Sequence, residues 1–73
     1  MTRTIDITSN SQVERINELA CETPYEVWLS AGTVMLDARS FLGLLSLVGK
    51  RAQVVVEDNL DPKAFGKLVD RME

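Results

Sequence analysis

A chain of 73 residues is read as one domain, 1–73, and one this small buries only about 60% of the surface its unfolded form exposes. The formal charge of −3, from eleven acids against eight bases, repels nucleic-acid phosphates and argues against nucleic acid as a partner. There is no histidine and only one cysteine, Cys21, which excludes an internal disulfide and removes the commonest metal ligand and the commonest general base near neutral pH. No apolar run approaches the roughly 18 residues needed to cross a membrane, and Met1 to Ile7 lacks the apolar stretch of a signal peptide. The expectation is a cytoplasmic protein with no membrane contact and no cofactor.

Thr2 to Thr8 alternates so that Ile5 and Ile7 share one face, the pattern of a half-buried strand. Ser9, Asn10 and Ser11 supply turn and cap chemistry, and Ser11 with Glu14 has the spacing of a capping box. Val13, Ile16, Leu19 and Ala20 then recur at helical spacing, with Glu14 and Glu18 on the opposite, solvated face. Thr23-Pro24 ends that helix, because the residue before proline avoids the helical region. Cys21, at its end, is expected near the edge of the buried stripe as a small hydrophobe.

Tyr25 to Ser30 and Thr33 to Asp37 read as a hairpin turning at Ala31-Gly32, with Tyr25 and Trp28 on opposite faces of the strand. Ser40 is expected to cap a helix of about two turns, Phe41 to Val48, ending at Gly49 as a left-handed residue. Gln53 to Glu57 reads as a buried strand closed by Asp58-Asn59. Asp61-Pro62 opens a final helix whose buried stripe is Phe65, Leu68, Val69 and Met72. The order β-α-β-β-α-β-α, with one apolar stripe per helix, predicts an α+β open-faced sandwich: a four-stranded antiparallel sheet covered on one face by three helices.

The stretch Asp37-Ala38-Arg39-Ser40-Phe41-Leu42-Gly43-Leu44-Leu45-Ser46-Leu47, set in that element order, resembles the HPr family, the small phosphocarriers of the sugar phosphotransferase system. In that family a similar stretch forms the second helix and carries a regulatory serine, and the resemblance places Ser40 at that position. The family's first strand leads to a Gly-x-His-x-Arg-Pro motif whose histidine accepts the phosphoryl group. Here Thr8-Ser9-Asn10-Ser11-Gln12 occupies that connection, several residues shorter and without His, Arg or Pro. Arg15 lies too far into the helix to stand for the family's arginine. The resemblance therefore implies the fold without histidine phosphotransfer, and the expectation is that the chain is not an enzyme.

Phe41, Leu42, Leu44, Leu45, Leu47 and Val48 cannot all face inward from so short a helix, so part of the run is expected at the surface. The resulting expectation is a partner-docking patch of Phe41, Leu42 and Leu45 rimmed by Arg39, Lys50 and Arg51. Phosphorylation of Ser40 would regulate it, the phosphate meeting a helix N-terminus beside Arg39. The resemblance implies HPr kinase or a transcriptional regulator as partner, and a catabolite-repression homologue that lacks the histidine but keeps the serine is the family's precedent. Two alternatives remain open at this point: residual phosphotransfer through Ser9 or Ser11, for which no activating base is at hand, and a self-associating structural module; the oligomeric expectation is a monomer or weak homodimer.

Overall fold

The alternation at the start of the chain becomes strand β1 (Thr2–Ile7), with Ile5 and Ile7 buried while Thr4 and Asp6 are exposed. The structure, a computed structural model, describes residues 1–73. Helix α1 (Asn10–Glu22) follows and buries Val13, Ile16, Leu19 and Ala20, as its spacing predicts. Its cap is Ser9, not Ser11: Ser9 Oγ accepts from Gln12 N at 3.2 Å. The capping sequence is thus Ser9-Asn10-Ser11-Gln12, two residues earlier than Ser11 and Glu14 suggested. The helix runs through Cys21, whose side chain is exposed rather than at the edge of the stripe.

Strand β2 (Trp28–Ala31) and strand β3 (Val34–Asp37) form the expected hairpin, but it turns at Gly32-Thr33 and its first strand starts three residues later than Tyr25. Gly32 has φ of +61° and no other residue of the turn has positive φ, the pattern of a two-residue type II′ turn. Tyr25 precedes β2 and packs against the core from outside the sheet.

Helix α2 (Phe41–Leu45) has only five residues, not the two turns expected over 40–48. After it the chain tightens through i to i+3 bonds, with Leu47 N donating to Leu44 O at 2.9 Å. Gly49, at φ of +87°, then turns the chain so that its N–H donates to Ile7 O at 2.7 Å. That contact delivers strand β4 (Lys50–Val55) alongside β1, in register from Ile7↔Lys50 to Thr2↔Val55. Helix α3 (Pro62–Met72) is capped by Asp61, which accepts from Lys63 N, and buries the expected Phe65, Leu68, Val69 and Met72.

The sheet order is β1-β4-β2-β3, antiparallel throughout, so that β1 and β3 are the edges. Ile5, Ile7, Leu29, Ala52 and Val54 point into a single 18-residue core with the three helices. Thr4, Ser30, Gln53, Asp6 and Arg51 have the opposite parity and stand on the open face. No helix is long and apolar enough to cross a membrane.

Candidate functional site

Two helix starts are candidates, and they are built differently. At the start of α1 the side chains of Thr8, Ser9, Ser11 and Gln12 are engaged with one another and with the backbone. Gln12, 5% exposed and the one buried polar residue, accepts at Oε1 from Thr8 N (2.8 Å) and Thr8 Oγ1 (3.1 Å). Its Nε2 donates to Asp6 O (2.9 Å) and Met72 O (3.0 Å). One amide thereby joins β1, α1 and the last turn of α3. Arg15 continues the clasp, donating from Nε to Arg71 O and from Nη2 to Glu73 O, both at 2.8 Å. Arg3 closes it from the sheet, pairing with Asp70 at 2.7 Å and Glu73 at 3.2 Å.

Ser9 Oγ is occupied as the cap and shares a 3.2 Å hydrogen bond with Ser11 Oγ. The recorded contacts of these hydroxyls are a backbone amide and each other, and neither abstracts a proton; a serine nucleophile needs a base in contact. The Gln12 clasp escapes a reading by hydrophobic periodicity, though Ser9-x-x-Gln12 is itself a legible capping signal.

At the start of α2 the side chains face outward. Leu42 is 80% exposed and Phe41 37%, whereas Leu44 and Leu47 are buried. Leu45 is a correction to the expected patch: it is half-buried and packs against the core. Ser40 occupies the N-cap position, but its hydroxyl makes no cap hydrogen bond. With a single helical turn behind it, α2 also supplies little aligned dipole, so the expected capping role and helix-field argument both fall away. Ser40 Oγ instead lies over Gly43, 3.1 Å from where a Cβ would stand there, with Leu36 Cδ2 at 3.5 Å on the same spot. Any larger residue at 43 would push the serine or the strand away.

Arg39 is held back toward β3. Its Nε and Nη2 donate to the two carboxylate oxygens of Asp37 at 3.2 and 3.0 Å, its backbone N donates to Asp37 Oδ1 at 2.9 Å, and Glu26 lies 3.9 Å away. The side-chain hydrogen bond from Arg39, then its backbone N–H, hold the Asp37 carboxyl below the usual carboxylate range. Lys50 opens β4, and Arg51 stands on the open sheet face with Nε 3.0 Å from Asp6 Oδ1. The expected site thus comprises an exposed apolar pair next to Ser40 and Arg39 in the chain, and two cations at the start of β4.

No protein-family model matches the sequence, and no curated protein matches it. Among solved structures the chain is similar to HPr-C-His from Thermoanaerobacter tengcongensis, with a TM-score of 0.76 over 99% of this chain and 90% of that one, at 20% sequence identity. At that identity the likeness speaks to architecture alone. The chain has the HPr-like fold, an α+β sandwich in the order β-α-β-β-α-β-α.

Proposed function

We propose that this chain is a protein-binding module without phosphocarrier or other enzymatic activity, which docks a partner protein through the start of α2. The observation that carries the reading is Leu42, 80% exposed next to Phe41 on a helix whose other leucines turn inward. A leucine left in water on a domain with little core to spare fits a surface that gains its burial on binding. No cofactor enters this reading.

Ser40 is the proposed switch. Ser40 is an exposed residue whose hydroxyl is free of a cap bond, so a kinase can reach it without first breaking a helix start. A phosphoryl group there would add about two negative charges beside the apolar pair and compete with Asp37 for Arg39. Following the resemblance, HPr kinase is the candidate modifying enzyme and a transcriptional regulator the candidate partner. Phosphotransfer through Ser9 or Ser11 is disfavoured because the α1 start is closed by its own hydrogen bonds.

The test is the intact mass of the chain after incubation with HPr kinase and ATP, with Ser40→Ala as control, together with light scattering of wild type and Leu42→Asp. One phosphoryl group on the wild type only supports the switch, and none removes it while leaving constitutive docking. A wild-type dimer that Leu42→Asp converts to monomer overturns docking of a foreign partner. A phosphoserine at 9 or 11 after incubation with phosphoenolpyruvate and the phosphotransferase system's first enzyme overturns the absence of carrier chemistry.

A further inference from the structure

Between the tip of the β2–β3 hairpin and the segment leading from α2 into β4 lies a groove of about 430 Å³. Ala31 and Val34 line its hairpin side, and Ser46 and Leu47 line the other; Val34 is 47% exposed, and Met35 after it 54%. Gly32 adds no side chain, and nothing lies within 4 Å of where its Cβ would stand. The groove is therefore partly apolar and open to an incoming aliphatic side chain.

Its charge is one-sided. Lys50 and Arg51 line it and no acidic residue does. Arg51 is paired across the sheet with Asp6, but Lys50 takes part in none of the chain's ion pairs. Both cations also border a second hollow of about 360 Å³ with Thr8 and Gly49, but Asp6 lines that one as well, so the first groove is the one without an acidic residue. In a chain of net charge −3 the first groove is a local reversal of sign, and it selects for negative charge.

We infer that this groove receives an acidic peptide segment carrying one aliphatic side chain, the aliphatic group lying against Ala31 and Val34 and a carboxylate on Lys50. The inference rests on the docking reading only for its source: the segment would belong to the same partner that covers Phe41 and Leu42, since one stretch of chain, β3-α2-β4, carries both surfaces. One exposed ion pair and one aliphatic contact give weak binding, with a dissociation constant on the order of 1 mM for the isolated segment.

The experiment is a titration of the ¹⁵N-labelled chain with the blocked pentapeptide Glu-Glu-Leu-Glu-Glu, followed by amide shifts. Saturable shifts are expected at Gly32, Val34, Ser46 and Lys50, at least about tenfold weaker in Lys50→Glu and suppressed by salt. Lys-Lys-Leu-Lys-Lys should produce none, and Glu-Glu-Ser-Glu-Glu weaker ones. Equal binding of the lysine peptide, or no groove shifts at several millimolar, overturns the assignment. Shifts confined to Phe41 and Leu42 overturn the groove and leave docking standing; groove shifts in a chain whose Leu42 is buried in a homodimer do the reverse.

Discussion

Helices α1 and α2 both begin on a serine, yet only one serine acts as a cap. Ser9 accepts a bond from Gln12 N, and Gln12 in turn fastens β1 and α3. Ser40 has the same position on a shorter helix, makes no cap bond, and is followed by the chain's most exposed leucine. The start of α1 spends its polar groups on holding the domain together, whereas the start of α2 keeps its groups available. In a domain of this size the two strategies cannot be exchanged: the sandwich needs a firm junction where three elements meet, and it can leave loose only a helix that is a single turn long.

The comparison breaks most visibly at Gln12. Gln12→Leu keeps the volume but leaves Thr8 N, Asp6 O and Met72 O without their side-chain partner, and is expected to cost about 3 kcal/mol. For a domain this small that lowers the melting temperature by roughly 15 °C, measurable by circular dichroism. An unchanged melting temperature would mean that water replaces the amide, and that the α1 junction is no firmer than the α2 start.

Much of this division was legible in the chain, and the exceptions have a common cause. Ile5 with Ile7, the α1 stripe and the α3 stripe are read from spacing because each element has one polar and one apolar face. The run Phe41 to Val48 is apolar all round, so periodicity cannot choose which leucines turn inward. The packing of α2 on α1 and β3 decides it, burying Leu44 and Leu47 and leaving Leu42 out. The bond from Gln12 to Met72 joins residues 60 apart in sequence, and no local rule anticipates it. The choice between Ser9 and Ser11 depends on where β1 stops pairing, at Ile7 opposite Lys50. Charge alone marks Lys50 as a rim residue, but its groove exists only once the hairpin tip folds beside it.

A smaller effect is expected at the cap itself. Ser9→Ala should destabilise by about 1 kcal/mol, the usual value for losing an N-cap hydroxyl, read from the urea midpoint at constant slope. A loss below a few tenths would show that Gln12 alone holds the helix start.

Smaller still is the contribution of Asp37. Its folded-state carboxyl is held below the ordinary range by Arg39, so the stability it adds is present above the unfolded value near pH 4 and is lost as pH falls through the folded value. Asp37→Asn should therefore be slightly less stable than wild type at neutral pH, with the gap closing below about pH 4. A gap that persists at pH 2, where Asp37 is itself neutral, would place the effect in the amide NH2 of the variant, which cannot accept from Arg39 Nη2 as Oδ2 does, rather than in the charge.

The smallest expected change is at Ser40, and its smallness is what discriminates. If Ser40 were a working cap, Ser40→Ala would match Ser9→Ala at about 1 kcal/mol. Because its hydroxyl makes no cap bond, the substitution is expected to move stability by less than about 0.5 kcal/mol, as at an ordinary surface position. Measured side by side in urea, the two alanine variants separate the roles directly. A large effect at 9 with none at 40 leaves the second serine free for modification. Equal effects would make both serines structural and remove the stability argument for a switch at α2.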